Sequence, residues 1–309
     1  MDELARRLRQ ERALDVVGLG ECSVDEVWVV PQQPEWSGKQ HAVRRDRLGG
    51  GQVATAMVAV ARLGLKAAYL GAVGDDLAGR LVLDGLREES VDVTHVRVVA
   101  GASTREALIL VDAASGERSV IEHLDKRVVL PHDQIEGAVI ASSRVLHVDA
   151  TQMGTSLAAA KIARAHGVVV SIDVDHVRPG LDELLELVDI CVVSESVPHA
   201  LTGEGDLEQA LRKMSARTGP FVCCTLGPRG AAALDDGHLL LSPAFDVPVT
   251  DTTACGDTFH AAVIAALLDG KSVGDSLRFA NAAAGLKCRD LGRRGCPTRS
   301  EVNALIART

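Results

Sequence analysis

The sequence predicts an α/β fold in which helices cover both faces of a mostly parallel central sheet. Beyond residue 140, short apolar runs alternate with helical patterns, as repeated βα units do. The 309 residues are 47% apolar and only 2% aromatic, a composition that suits helices layered on a sheet. The length allows one large domain or two smaller ones, and no repeat or low-complexity linker divides the chain. We therefore predict one three-layer α/β/α domain over residues 1–309.

The central layers are predicted from hydrophobic periodicity. The first half of the chain supplies strands at 15–20 and 66–73, and helices at 49–64 and 77–90. In the second of these helices, Leu77, Leu81 and Leu86 mark one expected apolar side. The second half alternates in the order RVLHVDA, a helix over 155–166, GVVVSIDVD, a helix over 181–188, DICVVSE, a helix over 206–217 and PFVCCTLG. Ligands are expected beyond the carboxyl ends of these strands.

A second, smaller sheet is predicted within 25–49 and 103–125. DEVWVV ends at Pro31, and 40–48 has the mixed pattern of a partly exposed strand. TREALILVD and GERSVIEHL alternate in polarity and are joined by AASG, which is a hairpin signal. We expect these strands to form a lid, and an open lid edge would let two chains pair as a homodimer.

Charge and cysteine content exclude several classes of protein. The formal charge of −9 argues against a nucleic-acid or membrane surface. Seven cysteines without CxxC spacing indicate neither a zinc site nor a disulfide framework. The N-terminus MDELARRLRQERALD is too charged for a signal peptide and predicts a short solvated helix, and no run of about 18 uncharged apolar residues occurs. The expected location is cytoplasmic.

The stretch DTTACGDTFHAAV carries the strongest chemical signal. Small residues, Ala254, Cys255 and Gly256, open an apolar helix whose N–H groups would favour an anion. Asp257 follows them, where it could accept a proton from an attacking hydroxyl group. This is a phosphotransferase arrangement, and the alternative is that Asp257 is an ordinary residue of a helix start.

Two further glycine-rich loops accompany this stretch. CTLGPRG places Thr225, Gly227 and Gly230 after an apolar strand, where a hydroxyl group and close-approach glycines could hold phosphates. LGGGQVATA opens another helix, and Asp25 begins the predicted lid. Each loop alone could be a simple turn at the end of a strand.

In this order, the motifs resemble those of the ribokinase-like PfkB carbohydrate kinase family, from VVGLG to GCPTRSEV. GGGQVATAMVAVARLG is similar to the first family signature, DTTACGDTFHAAV to the second, and TLGPRG to the nucleotide loop T-x-G-x-x-G. The resemblance implies a ribokinase-like fold and an ATP-dependent, Mg²⁺-requiring sugar kinase.

The resemblance also implies roles for individual residues. Asp257 would be the catalytic base, and the N–H groups of residues 254 to 257 would form the anion hole. The residues implied at the sugar, with Arg105 of the lid as a further candidate, are Asp25, Gly50, Gly51, Gln52 and Thr55. The residues implied at ATP are Thr225, Gly227 and Gly230 for the phosphates, and Asn281, Gly285 and the GRRGCP segment beside adenine. Potassium is a further possible cofactor, near Asp251.

Three departures from the family pattern bear on catalysis. Ala254 and Cys255 stand where the family has Gly-Ala, and a positive φ at Ala254 would cost roughly 1 kcal/mol. Cys255 is either a small packed residue or a reactive thiol at a helix start. The family's N-x-x-E motif is replaced by SESV, so we assign no metal ligand among Ser194, Glu195 and Val197.

The substrate is predicted less sharply. Gln52 and Thr55 are unusual for the family, and the pattern looks closer to ketohexokinase and bacterial sulfofructose kinase than to ribokinase, which favours a ketose-like acceptor with a primary hydroxyl group. Arg105 could recognise an anionic substituent, whereas Glu122 would repel one. A nucleoside kinase, with Trp28 and Trp36 to watch at the lid, and a non-catalytic sugar or nucleotide sensor remain as alternatives.

Overall fold

The structure is a computed structural model that describes residues 1–115 and 118–308. Within this described part, the strands are β1 (Leu14–Leu19), β2 (Ser23–Val30), β3 (Arg44–Gly50), β4 (Ala67–Leu70), β5 (Ala72–Gly74), β6 (Arg97–Val99), β7 (Glu106–Asp112), β8 (Arg118–His123), β9 (Ser143–Asp149), β10 (Val169–Val174), β11 (Ile190–Ser194), β12 (Phe221–Thr225), β13 (Ala231–Asp235) and β14 (His238–Ser242). The helices are α1 (Asp2–Leu8), α2 (Gln52–Arg62), α3 (Leu77–Glu88), α4 (Gly137–Ala141), α5 (Met153–Ala165), α6 (Leu181–Leu185), α7 (Ser196–Thr202), α8 (Leu207–Ser215), α9 (Cys255–Leu268), α10 (Val273–Lys287) and α11 (Arg299–Ile306).

The large sheet has the strand order β14-β13-β12-β11-β10-β9-β1-β4. Every neighbouring pair from β12 to β4 is parallel, and β13 and β14 add an antiparallel hairpin at one edge. The mostly parallel sheet predicted from the alternating pattern is thus confirmed. The edge hairpin was not predicted, although its turn has a sequence signal: Asp236 and Gly237 both adopt positive φ, as Asp-Gly does in tight hairpins.

Helices cover both faces of this sheet. Successive strand residues point to opposite faces, so Val16 of β1 joins one apolar core and Val17 the other. The first core contains side chains of α1, α2, α3, α9, α10 and α11, and the second contains those of α4 to α8. The predicted three-layer α/β/α architecture follows from this division.

Two local predictions were wrong. The N-terminal helix α1 is not merely solvated, because Leu4 and Leu8 are each only 2% exposed in the first core. On α3, Leu77 and Leu81 are exposed, and the buried side instead runs through Ala78, Val82 and Leu86. These three residues recur every four positions, so they form an apolar helical stripe as regular as the predicted one.

The small sheet has the order β3-β2-β7-β8, in which β2 and β7 are parallel and the outer pairs antiparallel. Its inner face buries a separate apolar cluster that includes Val27, Leu48 and Ile109. The predicted AASG turn between β7 and β8 ends at Gly116, which with Glu117 lies outside the described residues. Among the helices that the structure describes, none is long and apolar enough to cross a membrane.

Candidate active site

Acidic side chains collect where the parallel strands end. Asp149 ends β9, Asp173 lies near the end of β10, and Glu21 follows β1 by two residues. Asp257, in the first turn of α9, belongs to the same group, because the charges of Glu21, Asp149 and Asp173 all act on its pKa. This is the edge at which an open α/β sheet binds ligands.

A cavity between this edge and the small sheet unites most of the predicted sugar-site and catalytic residues. Those lining it are Asp25, Gly50, Gly51, Gln52, Thr55, Arg105, Ala254 and Asp257. Cys255 and Gly256 do not line the cavity but lie between Ala254 and Asp257 at the start of α9. Residues from four separate parts of the chain therefore meet in one cavity.

Asp257 is a half-buried carboxylate in the wall of this cavity. Burial raises its pKa well above the ordinary value, and the charges of neighbouring carboxylates, first Asp173 and then Glu21, raise it further. A carboxylate whose charge is disfavoured in this way is a stronger proton acceptor than an exposed one. It is suited to act as a general base.

The start of α9 presents open N–H groups beside Asp257. The N–H of Cys255 donates to the carbonyl oxygen of Thr252 at 3.3 Å, so it is not available. The N–H groups of Ala254, Gly256 and Asp257 have no acceptor among residues 1–115 and 118–308. Three of the four donors predicted for the anion hole are thus free to bind an anion.

Ala254 adopts the left-handed conformation, with φ 67° and ψ 5°. The positive φ considered from the sequence is therefore present. An alanine there bears steric strain that glycine would not.

Replacing Ala254 with glycine should stabilise the protein. We expect Ala254→Gly to raise the free energy of unfolding by about 1 kcal/mol, because the strain disappears. Urea denaturation of the two proteins measures this, with Ala307→Gly, at an unstrained helix end of φ −72°, as the matched control that should lose stability. A loss of stability in Ala254→Gly would contradict the expectation.

Asp25 lies across the cavity from the main sheet and is only 9% exposed. Its Oδ1 accepts a hydrogen bond from the Ser23 hydroxyl at 2.7 Å. Gly50 approaches it closely, since a Cβ there would lie 2.0 Å from Asp25 Oδ2. Burial raises the pKa of Asp25, and the Ser23 hydrogen bond opposes that change.

Arg105 lines the cavity and is paired with two carboxylates. Its Nη1 is 2.5 Å from Glu21, and its Nη2 is 2.5 Å from Glu122. Burial raises the pKa of Glu21 to about 7 in spite of the Arg105 charge. The Arg105 guanidinium group is therefore already paired with two carboxylates.

Several cavity residues were not assigned to the sugar site from the sequence, among them Glu21, Ser23, Arg118, Gly292 and Arg293. Glu21 directly follows the VVGLG segment and Ser23 begins β2, so their position after the first strand could have indicated both. The GRRGCP segment was expected beside adenine. Gly292 and Arg293 instead lie with Asp25 and Asp257.

Beneath Asp257, one helical turn further along α9, His260 meets the main sheet. Its Nε2 is 3.2 Å from Asp173 Oδ1, and both residues are buried. Burial alone would raise the pKa of Asp173, yet the charge and hydrogen bond of His260 lower it. Asp173 therefore stays ionised next to His260.

The residues predicted at ATP form a second group around β12, β14 and α10. Thr225 ends β12, and Gly227 and Gly230 take positive φ of 56° and 93° in the turn that follows. A Cβ at Gly230 would lie 2.1 Å from the Ser242 carbonyl oxygen, so glycine is required there. The five residues of this group, which do not line the Asp257 cavity, are Thr225, Gly227, Gly230, Asn281 and Gly285.

The Asn281 side chain binds the backbone at the end of β14. Its Nδ2 donates to the carbonyl oxygens of Ser242 at 2.9 Å and Pro243 at 3.2 Å. Gly285 faces the side chains of Phe245 and Val247. Ser242, Pro243 and Phe245 line a groove that Asn281 and Gly285 do not line, so these two residues support the wall of the groove.

Cys255 packs against a second thiol. Its Sγ lies 2.8 Å from Cys288 Sγ. The hydrogen bond with Cys288, together with burial, raises the pKa of Cys255, whereas the same hydrogen bond lowers the pKa of Cys288 to about 7. A lowered thiol pKa thus falls on Cys288, not on Cys255.

A protein-built metal centre is not found in the part of the chain that the structure describes, where no three histidine, cysteine or carboxylate side chains converge on a common point. In the SESV segment, Glu195 forms an ion pair with Arg229 of the nucleotide-loop turn, and Val197 is buried.

A carboxylate at an open helix start, beside a polar cavity and near glycine turns, is the arrangement of an enzyme that transfers a phosphoryl group to an alcohol. The family model described as pfkB family carbohydrate kinase matches residues 14–299. The chain belongs to this family, whose members are phosphotransferases with an alcohol group as acceptor, and the resemblance seen in the sequence is confirmed.

Similar proteins support the assignment. The ribokinase of Haemophilus influenzae is 33% identical over 264 residues, which cover 82% of this chain and 85% of the relative. The ketohexokinase of Mus musculus is 26% identical, with 90% of this chain and 97% of the relative covered. The structure of Arabidopsis thaliana ribokinase complexed with ribose and ATP is 25% identical, with a TM-score of 0.80 and 95% and 99% of the chains covered. The ribokinase relative is more similar than the ketohexokinase, so the predicted ketose preference is not confirmed.

Proposed function

We propose that this family member is an ATP-dependent, Mg²⁺-requiring kinase that transfers the γ-phosphoryl group to a primary hydroxyl group of a small sugar. One observation carries the proposal: Asp257 shares a cavity with Asp25 and stands beside the open N–H groups at the start of α9. Asp25 can hold sugar hydroxyl groups while Asp257 reaches the hydroxyl group that reacts.

In this mechanism, Asp257 accepts the proton of the attacking hydroxyl group as its oxygen bonds to the γ-phosphorus of ATP, while the bond from that phosphorus to the β–γ bridging oxygen breaks and ADP leaves. The N–H groups of Ala254, Gly256 and Asp257 stabilise the negative charge on the transferred phosphoryl group. The turn at Gly227 has room for phosphates, because nothing lies within 4 Å of the place that a Cβ would take. Magnesium would arrive with ATP and neutralise charge between the outer phosphates.

The test is a coupled assay of ADP release over a panel of ketoses, aldoses, keto acids, sulfosugars and nucleosides. We expect Mg²⁺-dependent turnover with at least one sugar. ATP binding without turnover across the whole panel would favour a sensor instead. Turnover of nucleosides alone would favour a nucleoside kinase.

The choice among acceptors has some structural support. The described lining of the cavity contains no aromatic side chain, and Trp36 is fully exposed, so a nucleoside base would lack a stacking partner there. A small ketose or aldose fits better. We propose a ketose as the acceptor, and the same panel of sugars tests this preference.

We further propose that residues 1–309 form one kinase domain and that the small sheet is its lid. The sheet covers the cavity with Arg105, Glu122 and Ile109, and its closure would keep water from competing as the acceptor. We place the enzyme in the cytoplasm, where ATP is available, since all seven cysteines are free thiols.

A homodimer through the small sheet is supported by its outer face. Leu108 and Ile121 are directly opposite each other on β7 and β8, and they are 37% and 61% exposed. Their neighbours Ala107, Ile109 and Val120 face the cavity, so this apolar pair points away from it. A second copy of the chain would cover the pair.

Ile121→Glu should therefore dissociate the dimer. We expect light scattering after gel filtration to give twice the chain mass for the wild type and the mass of one chain for the variant, because the introduced charge cannot be buried without a partner. Val98→Glu, at an exposed site on β6, is the control that should remain dimeric. A wild-type protein that is monomeric at micromolar concentration would contradict the proposal.

Lys287 places a positive charge near Asp251, where potassium was considered as a possible cofactor. Its side chain is fully buried, and its Nζ donates to the carbonyl oxygens of Asp251 at 2.9 Å and Asp290 at 3.0 Å, with Asp251 Oδ2 at 3.4 Å. We infer that this ammonium group supplies the positive charge that potassium would bring near Asp251.

Activity should accordingly be unchanged when choline replaces potassium at constant ionic strength. Lys287→Met should lose about 3 kcal/mol of unfolding free energy, because Asp251 is left beside an apolar group. Lys213→Met, at a surface position 56% exposed, should lose little. Strong activation of the wild type by potassium would refute the inference.

A further inference from the structure

Arg293 is a buried cation in the wall of the sugar cavity. It lies in the short turn Gly292–Gly295 and is only 8% exposed. The same cavity holds Asp25 and Asp257. Because an arginine does not lose its proton in a protein, this is a fixed positive charge beside the acceptor site.

This guanidinium group lacks a partner in the described part of the chain. Its Nη1 is buried without a hydrogen-bond acceptor, and no described carboxylate lies within 4.0 Å of it. Burial lowers its pKa, an effect that Cys296, Glu89 and Asp25 only partly offset. A buried charge without a partner is costly, so natural proteins keep one chiefly where a ligand completes it.

The surrounding backbone is shaped to admit this side chain. A Cβ at Gly49 would lie 2.1 Å from Arg293 Cζ, and a Cβ at Gly85 would lie 2.5 Å from its Nη2. Two glycines on different elements, β3 and α3, thus leave the space that the guanidinium group occupies. Nη2 is the guanidinium nitrogen nearest to both glycines, and no nitrogen of the group has a hydrogen-bond acceptor among the described residues.

The other cations of the cavity differ from Arg293. Arg105 is paired with Glu21 and Glu122. Arg118 lies on the exposed strand β8, where water screens its charge. Among the described cations of this cavity, Arg293 is the one that is buried and forms no ion pair.

We propose, on the basis of the sugar-kinase function above, that the acceptor is an anionic sugar whose phosphate, sulfonate or carboxylate group binds Arg293. The anionic group accepts hydrogen bonds from the Arg293 guanidinium group, while Asp25 holds the hydroxyl groups and Asp257 takes the proton from the hydroxyl group that reacts. A guanidinium group suits planar carboxylates and tetrahedral oxyanions alike, because its donors form a fork.

The competing explanation is that Arg293 only balances the charge of Asp25 for a neutral sugar. The two explanations differ in what removal of the guanidinium group does. If the guanidinium group balances Asp25, its loss lowers kcat/KM equally for neutral and anionic sugars. If it binds the substrate, its loss lowers kcat/KM selectively for the anionic sugar.

The experiment measures kcat/KM by ADP release on matched pairs: fructose with fructose 6-phosphate and 6-deoxy-6-sulfofructose, ribose with ribose 1-phosphate, and glucose with gluconate. In the wild type, we expect one anionic member to exceed its neutral partner at least tenfold. Arg293→Met should reduce that ratio below threefold, and Arg293→Lys should retain part of it. Arg294→Met, with a side chain 59% exposed in the same turn, should leave the ratio unchanged.

A second arm separates this inference from the kinase proposal. Calorimetry without ATP measures binding of the same anionic sugars to wild type and to Arg293→Met, after urea denaturation has shown that the variant is folded. Binding that needs Arg293, without turnover, would overturn the kinase function and support the anion site. A preference for neutral sugars, or equal losses for both members of a pair, would overturn the anion site.

Discussion

Asp257→Asn should lose about 10³-fold in kcat while the protein keeps its fold. The amide has nearly the shape of the carboxylate but cannot accept the proton of the attacking hydroxyl group. The open N–H groups at the start of α9 remain, so ATP binding measured by calorimetry should change little. Wild-type turnover in the variant would show that Asp257 is only a residue of the helix start.

The pH dependence provides an independent check. Because the pKa of Asp257 is raised, kcat/KM should fall as the pH decreases through that raised value, which lies well above the ordinary 3.8. Glu21, with a pKa of about 7, titrates in the same cavity. Two variants therefore assign the fall of kcat/KM at low pH. If it reports Asp257, it should be absent from the residual activity of Asp257→Asn and should persist in Glu21→Gln.

Stability should confirm that the variant is folded. A carboxylate whose pKa is higher in the folded protein than in the unfolded chain contributes stability below the unfolded pKa, and that contribution is lost as the pH rises through the folded pKa. Asp257→Asn does not titrate. At pH 8, its free energy of unfolding should therefore equal or exceed that of the wild type.

Gly50→Ala should have the second large effect. A methyl group there would lie 2.0 Å from Asp25 Oδ2, so the carboxylate must leave its position. We expect kcat/KM for the sugar to fall about 100-fold, as overpacking of 1–3 kcal/mol implies, with ATP binding unchanged. Steady-state kinetics with the sugar as the varied substrate measures the loss.

Gly154→Ala is the matched control, since nothing lies within 4 Å of a Cβ at that position in α5. It should keep wild-type kinetics. If both alanine variants behave like the wild type, the close approach of Gly50 to Asp25 does not govern acceptor binding.

The sequence predicted those parts that local pattern and motif order determine. The repeated strand–helix alternation defines the parallel sheet, because each buried strand must be covered on both faces. The order of the glycine-rich motifs carries the family resemblance, and that resemblance implies that Asp25 and Gly50 lie at the sugar and Asp257 at the reacting hydroxyl group. Such features are encoded within short stretches of chain.

What the sequence did not predict depends on contacts between distant segments. Arg293 lies 244 positions beyond Gly49 in the chain, and no local pattern indicates that these two residues meet. The pairing of Cys255 with Cys288 also depends on how α9 packs on α10. On α3, two helical stripes were equally apolar, and only packing against the sheet distinguishes them.

The buried ammonium group of Lys287 has one more consequence. A bound ion dissociates, so the stability of its host depends on the concentration of that ion in the surrounding solution. The Lys287 ammonium group is covalently part of α10, so it does not dissociate and sodium cannot replace it. The loop between Thr250 and Asp257 therefore keeps its charge balance in every ionic environment that the protein meets.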